Sequence, residues 1–318
     1  MPTLAEYKMQ EPDQNQVEVP ENKEEIQGDL VEESLEDDLG VDVPDIPLPS
    51  ADEAAASEAI DDEFEGAYRF AVVGVGQGGS RLAETFWKLG YRRVAVINTA
   101  AQDLKPISLP EKNKLLIGGG GAGKNREKAR LIFEEHREDI LDFLKNTFRT
   151  NIDRVLVCIG AGGGTGAGGG PIVVEICHDL CATVGTEESP QDAKVGAVLA
   201  LPSKSEGSRV KNNAKETADA LIEFSQTGTL SPLIILDNER IRHLYPKLSV
   251  NKFWNTANTS ICSLFHLFNK IAAQDSEYTA FDKADLDTVM SSGIISFGAV
   301  PVKPSGEIVE ETDISHAV

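Results

Sequence analysis

The chain has 318 residues and a net charge of −22, and the charge is concentrated at one end. Residues 1–66 hold 22 acidic side chains against two lysines, whereas the rest carries 30 acidic and 28 basic residues. Such a balance offers no basic surface to a phosphate backbone, so direct nucleic-acid binding is not expected. The N-terminus lacks the basic and apolar regions of a signal peptide, and no run approaches the ~18 apolar residues of a membrane span. Cys158, Cys177, Cys181 and Cys262 sit singly in apolar stretches, which suits small core residues with reduced thiols. The five histidines have no zinc spacing, so no metal site built from His and Cys is expected. A soluble, cytoplasmic protein is the expectation.

Taken in chain order, residues 1–66 cannot bury enough apolar surface to offset ordering, and are expected to be a disordered acidic tail. Val41, Val43, Ile46 and Leu48 form an apolar island within it. The tail is either a solvating appendage or a short motif that docks a protein partner. Order is expected from Tyr68. The run YRFAVVGVG reads as a strand, with helical spacing over Ser80–Lys88; RRVAVINT is a second strand and KLLIG, at 114–118, a third. A helix is expected from about Asn125 to Thr147, then a strand at 153–160 and a helix opening at Pro171, a favoured first helical residue. KVGAVLALP and PLIILDN are further strands around a helix at 208–226. Strands that are apolar throughout and alternate with helices predict an α/β fold with a doubly wound parallel sheet. From 251 to 274, Phe253, Ala257, Ile261, Leu264, Phe268 and Ile271 recur at three- and four-residue steps, the apolar face of one long helix. The expected division is therefore a nucleotide-binding domain at 67–250, a central helix at 251–274, and a short or incomplete α+β domain at 275–318. That last segment holds a helix and a strand, GIISFGAVPV.

Three glycine-rich turns follow strands, at the sheet edge where open α/β folds bind ligands. The first, Gly74-Val75-Gly76-Gln77-Gly78-Gly79-Ser80, satisfies GxGxxG and is either a phosphate loop or a tight turn. A dinucleotide-dependent oxidoreductase would place an acidic residue after the second strand, which ends instead in Asn98-Thr99. The second, Gly118 to Asn125, nearly spells the P-loop, but Asn125 stands where a hydroxyl residue should hold the metal. The third, Gly160-Ala161-Gly162-Gly163-Gly164-Thr165-Gly166-Ala167-Gly168, carries so many glycines that their entropic cost calls for an offset. A nest of backbone N–H groups around an anion supplies it.

The third turn resembles the tubulin/FtsZ signature GGGTG[ST]G, with Ala167 at the small hydroxyl position. Other motifs fall in the same order. NTAAQDL at 98–104 is similar to FtsZ's NTDAQAL; GGGAGKNREKAR at 119–130 is similar to GLGAGGNPEVGR; PSKSEG at 202–207 to PFxFEG; LDNERI at 236–241 to IPNDKL. The resemblance implies GTP or GDP held by Gly76, Gln77, Gly78, Gly79, Asn98, Gly121, Ala122, Gly123, Gly162, Gly163, Gly164, Thr165 and Gly166. It implies Glu206 at the ribose, Asn238 at the guanine edge, and Trp254 with Asn258 stacking on and bonding the base. Mg²⁺ would be held mainly by the phosphates.

AFDKADLDTVMS at 280–291 is similar to FtsZ's NVDFADVRTVMS, which implies a catalytic role for Asp282 and Asp285. Carboxylates three apart share a helix face and can meet one water, although an acidic helix start favoured by the dipole has the same pattern. The resemblance further implies that this segment serves the nucleotide of the next subunit in a head-to-tail homopolymer, in cell division or in positioning cargo or DNA. Arg81, Ala100, Val210 and Ala280 depart from the family's motifs, at positions where it has Asn, Asp, Arg and Asn. Ala280 and the short stretch of chain after this segment favour an alternative, a GTP-binding assembly scaffold that hydrolyses little.

Overall fold

A computed structural model describes residues 66–149, 151–184, 194–244, 250–274 and 281–296, side chains 184, 244 and 250–252 excepted. The readings for the acidic tail, for Ala280 and for the chain beyond 296 lie outside the described residues. Seven strands form one parallel sheet: β1 (Phe70–Val75), β2 (Val94–Asn98), β3 (Lys114–Leu116), β4 (Arg154–Gly160), β5 (Lys194–Leu201), β6 (Leu233–Asp237) and β7 (Ile294–Ile295). Their order is β3-β2-β1-β4-β5-β6-β7, every neighbouring pair parallel. β1 and β2 are buried along their whole length, which is why their sequences show no polar alternation.

Period-two geometry sends alternate residues of each strand to opposite faces. Ala71, Val73 and Val75 join a core with Phe133, Leu144, Val173 and Ile176. These come from α3 (Arg126–Glu135), α4 (Arg137–Phe148) and α5 (Thr165–Val184), covered further along by α6 (Ser208–Thr227). Phe70 and Val72 face the other core, with Leu82, Phe86, Phe265 and Leu286. That side is built by α1 (Gly76–Lys88), α8 (Val250–Ile271) and α9 (Lys283–Met290). Phe70 and Phe265 stack edge to face at 4.9 Å. The four cysteines are free and buried, and burial pushes each thiol up, that of Cys181 to about 12.

Three boundaries differ from expectation. The helix read over 125–147 is two helices meeting at His136, whose backbone leaves helical geometry at φ −101 and ψ 21. The first helix starts at Gly76, inside the glycine turn rather than after it. Pro171 is not a first residue: α5 begins at Thr165 and carries Pro171 in its interior. Glycines 168–170 are then helical, and their missing side chains let α3 and β4 approach. A Cβ on Gly168 would stand 2.1 Å from the Arg126 carbonyl oxygen, one on Gly169 2.4 Å from the Phe133 ring, and one on Gly170 2.8 Å from Ile159.

An interior proline leaves the carbonyl four residues back without its helical donor. That carbonyl is Ala167's, and Ala167 is fully buried. The Thr217 hydroxyl of α6 reaches it at 3.2 Å, while also lying 2.7 Å from the Asn213 carbonyl oxygen. Thr217→Val should therefore lower stability by about 1–3 kcal/mol, the cost of a buried acceptor left unpaired. Adding Pro171→Ala restores a backbone donor to the same carbonyl, so the double variant should recover part of the loss in a denaturant titration; strictly additive losses would refute this account.

Candidate functional site

A cleft of about 560 Å³ opens at the C-terminal edge of the sheet, and all three glycine turns contribute to it. The turns are held together by backbone crossing. Gly79 packs so closely on β4 that a Cβ there would lie 2.1 Å from the Cys158 carbonyl oxygen. Gly76, at φ +71, would place a Cβ 2.7 Å from the Gly166 nitrogen. Both positions need glycine for contact and Gly76 also for conformation. α1 and α5 consequently start side by side, and two helix N-termini with their unpaired N–H groups and positive dipole ends face one cleft.

The structure brings together Gln77, Gly78, Gly121, Ala122, Gly123, Gly162, Gly163, Gly164, Thr165, Gly166, Glu206, Asn238, Trp254 and Asn258 in the lining. Gly76 and Gly79 lie beneath it as packing positions. Asn98 is also beneath the surface: fully buried, it accepts from the Thr99 and Ala100 backbone N–H groups at 2.8 and 3.2 Å and so shapes the turn after β2. Among the described residues its Nδ2 has no hydrogen-bond acceptor. Gly163 has open space where a Cβ would stand, and Gly164 abuts the second turn, its Cβ position 2.8 Å from Ala122 Cβ. The Thr99 and Thr165 hydroxyls bond at 2.7 Å, tying the β2 turn to the start of α5.

At the β5–β6 side, Glu206 Oε1 accepts from the Ser203 N–H at 3.0 Å, which closes that turn and leaves Oε2 without a protein partner among the described residues. Asn238 donates from Nδ2 to the Leu201 carbonyl at 2.7 Å, which leaves Oδ1 and the second Nδ2 hydrogen for a ligand. Trp254 is exposed for its size, at 37%. It shares with Asn258 and Arg81 an adjoining cavity of about 470 Å³. Such an indole offers a stacking face.

Sequence reading missed Asn213 of α6. Its Nδ2 lies 3.1 Å from the Lys124 carbonyl oxygen, 3.1 Å from that of Gly163 and 3.3 Å from that of Gly162, joining the second and third turns. No local pattern signals it, because its partners are 50 and 89 residues away. Val210 covers the third turn, its Cγ1 lying 2.4 Å from where a Gly162 Cβ would stand.

Asp282 and Asp285 are not in the cleft. They open α9, where Asp282 Oδ1 accepts from the Ala284 and Asp285 N–H groups at 2.8 and 2.9 Å. Asp285 Oδ2 accepts in return from the Asp282 N–H at 3.2 Å, a reciprocal capping box. One oxygen of each carboxylate stays outside the box. α9 is fastened to the N-terminal ends of the strands. The Arg154 guanidinium, whose side chain is 3% exposed, bonds Asp287 and lies 5.2 Å over the Tyr68 ring. Lys194 stands 3.7 Å from Asp287, and Asp153 takes Arg69 at 3.1 Å and Lys283 at 3.5 Å. Parallel strands put these residues at one edge and the glycine turns at the other, roughly 20 Å apart for strands of this length. Asp282 and Asp285 therefore do not reach the cleft of their own chain.

Residues 69–246 match the Tubulin/FtsZ family, GTPase domain. The chain belongs to the tubulin/FtsZ family. It is 26% identical over 221 residues to Cell division protein FtsZ 1 of Pyrococcus furiosus, covering 68% of this chain and 53% of that protein. It is 31% identical over 259 residues to Cell division protein FtsZ 2 of Methanocaldococcus jannaschii, covering 78% and 61%. The structure of an empty FtsZ dimer from M. jannaschii aligns with TM-score 0.56 at 26% identity, over 71% of this chain and 62% of that one. The chain thus spans little more than half the length of these curated relatives. Among the described residues no helix is long and apolar enough to cross a membrane, and no group of three or more His, Cys, Asp and Glu side chains is placed to hold a metal ion.

The clamp on α9 has a pH signature. Partial burial raises the Asp287 carboxyl, but the bonds from Arg154 and Tyr68 and the charge of Lys194 outweigh it and hold the group below its ordinary range. A carboxyl depressed by folding stabilises the fold above its unfolded value of about 4, and that stabilisation is lost as pH falls through the lower folded value. Asp287→Asn should therefore be less stable at neutral pH and lose less stability than the parent below about pH 4, read as a shallower acid limb of thermal midpoint against pH. Parallel acid limbs would show that Asp287 contributes nothing to the clamp.

Proposed function

We propose that the chain is a guanine-nucleotide-binding, filament-forming GTPase that hydrolyses GTP where one subunit's cleft meets the next subunit's α9. The observation that carries this is the separation of the two halves. A cleft lined by three glycine turns lies at one edge of the sheet and a pair of carboxylates at the other, so in this reading a complete site needs two chains stacked head to tail. Membership of a family whose matched region is a GTPase domain supports the substrate.

In this reading the base lies against Trp254, with Asn238 Oδ1 and Asn258 on its polar edge and Glu206 Oε2 on the ribose. The backbone N–H groups at the starts of α1 and α5 hold the phosphates. Phosphoryl transfer leaves a protein little to do beyond positioning and charge neutralisation. The free oxygens of the neighbour's Asp282 and Asp285 orient the attacking water and take its proton. The residues present fit Mg²⁺ held mainly by the phosphates: the open glycine turns leave room for a hydrated ion, and the described residues supply no carboxylate cage. When bound, the ion neutralises charge on the phosphate oxygens. Cell division or movement of cargo or DNA is the corresponding cellular role, in the cytoplasm, with a protein as the partner of the acidic tail. The capping box favours a second reading, an assembly scaffold with little hydrolysis, since it occupies half of each carboxylate.

GTP should outcompete ATP in a titration, and Trp254→Ala should weaken GTP binding by about 1–3 kcal/mol, the worth of base–aromatic stacking. Equal affinity for ATP and GTP would sink the guanine reading. Turnover per chain should rise with protein concentration. Asp285→Ala should bind GTP normally and assemble into persistent filaments. Gly163→Trp should fill the cleft while leaving the fold intact, because a Cβ there meets no atom within 4 Å. Mixing the two inactive variants should restore some phosphate release. Co-assembly without activity would leave the scaffold as the better account.

A further inference from the structure

The near-P-loop sequence of the second turn ends in Lys124, and the nucleotide reading above gives that side chain no role. Lys124 lines the cleft and is exposed. It adopts φ +59, a left-handed conformation that glycine takes freely and a residue with a Cβ does not. The corresponding position in the FtsZ-like motif quoted above, GLGAGGNPEVGR, is glycine, and lysine here carries a local backbone cost that glycine would not.

Three cations follow one another in this segment. Arg126 pairs with Glu216 at 3.3 Å, and Lys128 Nζ donates to the Gly121 carbonyl at 2.9 Å. Lys124 has no acidic partner among the described residues. Its backbone is locked instead: its carbonyl lies 3.1 Å from Asn213 Nδ2, and its Cα is 3.1 Å from where a Gly164 Cβ would stand, one residue before the start of α5. In the same corner Ala100 replaces the acidic residue of the NTDAQAL motif, and its Cβ lies 3.5 Å from the Gly121 Cβ position. The family's acidic side chain at position 100 is absent and a cation stands at 124, while Asp103, three residues on from Ala100, also lines the cleft. The sheet order places this end across β4 from the β6 turn that carries Asn238. A nucleotide whose base is held at Asn238 and whose phosphates follow the helix starts ends at the second turn.

We propose that Lys124 reads the terminal phosphate, giving the chain a preference for nucleoside triphosphate over diphosphate that does not require a divalent cation. The inference rests on the nucleotide reading of the cleft and deepens it. An ammonium in this position acts as a point charge donating to phosphate oxygens, as a P-loop lysine does on a different scaffold.

The test measures GTP and GDP affinity of the full chain by equilibrium titration, at protein concentrations below assembly, in EDTA and again in Mg²⁺. The parent should favour GTP over GDP by roughly tenfold or more in EDTA, the scale of one hydrogen bond to a charged group. Lys124→Gly relieves the backbone and should fold at least as well. It should lose that preference in EDTA with GDP affinity within about threefold of the parent. Lys124→Gln should behave as Lys124→Gly, and Lys124→Arg should keep most of the preference. A parent and a Lys124→Gly variant with the same GTP-to-GDP ratio in EDTA would overturn the inference, as would equal losses for both nucleotides. A parent that binds neither nucleotide would overturn the functional reading itself, a result separable from these.

Discussion

Everything at the cleft depends on two stretches of backbone lying closer than side chains permit. The first and third glycine turns leave adjacent strands, β1 and β4, at the point where chain connections diverge to the two sides of the sheet. There Gly79 rests on Cys158 and Gly76 on Gly166, at separations that exclude a Cβ. Because they touch, α1 and α5 begin side by side and their unpaired N–H groups point into one cleft. Any side chain at either glycine would wedge the helix starts apart, so that their N–H groups no longer faced one cleft.

That contact divides the glycines by task. Some, such as Gly163, leave open space at the cleft. Others, Gly76 and Gly79 among them, make the backbone crossing, and glycines 168–170 let α3 and β4 pack against α5. All look alike in sequence. Entropy cost explains why glycine is uncommon without a benefit, but the benefit at most of these positions is close packing of protein on protein.

The opposite edge of the sheet is built on different physics. Arg154 is a nearly buried cation, and its neutralisation by Asp287 joins α9 to β4 across 133 residues of chain. A charge so placed is costly without its partner, which makes the position of α9 specific. The sheet is rigid between its edges, so a cleft at one end and a fastened acidic helix at the other keep a fixed spacing. A fixed spacing suits the head-to-tail contact proposed for this chain.

Much of the fold was legible from residues alone. Uninterrupted apolar runs such as FAVVGV and RVLVCIG announced buried parallel strands, since strands covered on both faces need no polar alternation. Trp254, Asn258, Asn238 and Glu206 were found through motif order, and they do line one cleft. Helix boundaries were not legible at Pro171, because what makes an interior proline tolerable is Thr217, a hydroxyl fifty residues away. Nor was Asn213, whose value lies in three carbonyl groups brought together from two separate turns. Local sequence determined which segments become strands, helices and glycine turns, since those choices follow from periodicity and backbone freedom within a few residues. Tertiary structure alone decided which glycines line the cleft, which polar side chains tie turns together, and that the paired aspartates stand a sheet's length from the cleft, because these follow from contacts between segments remote in the chain.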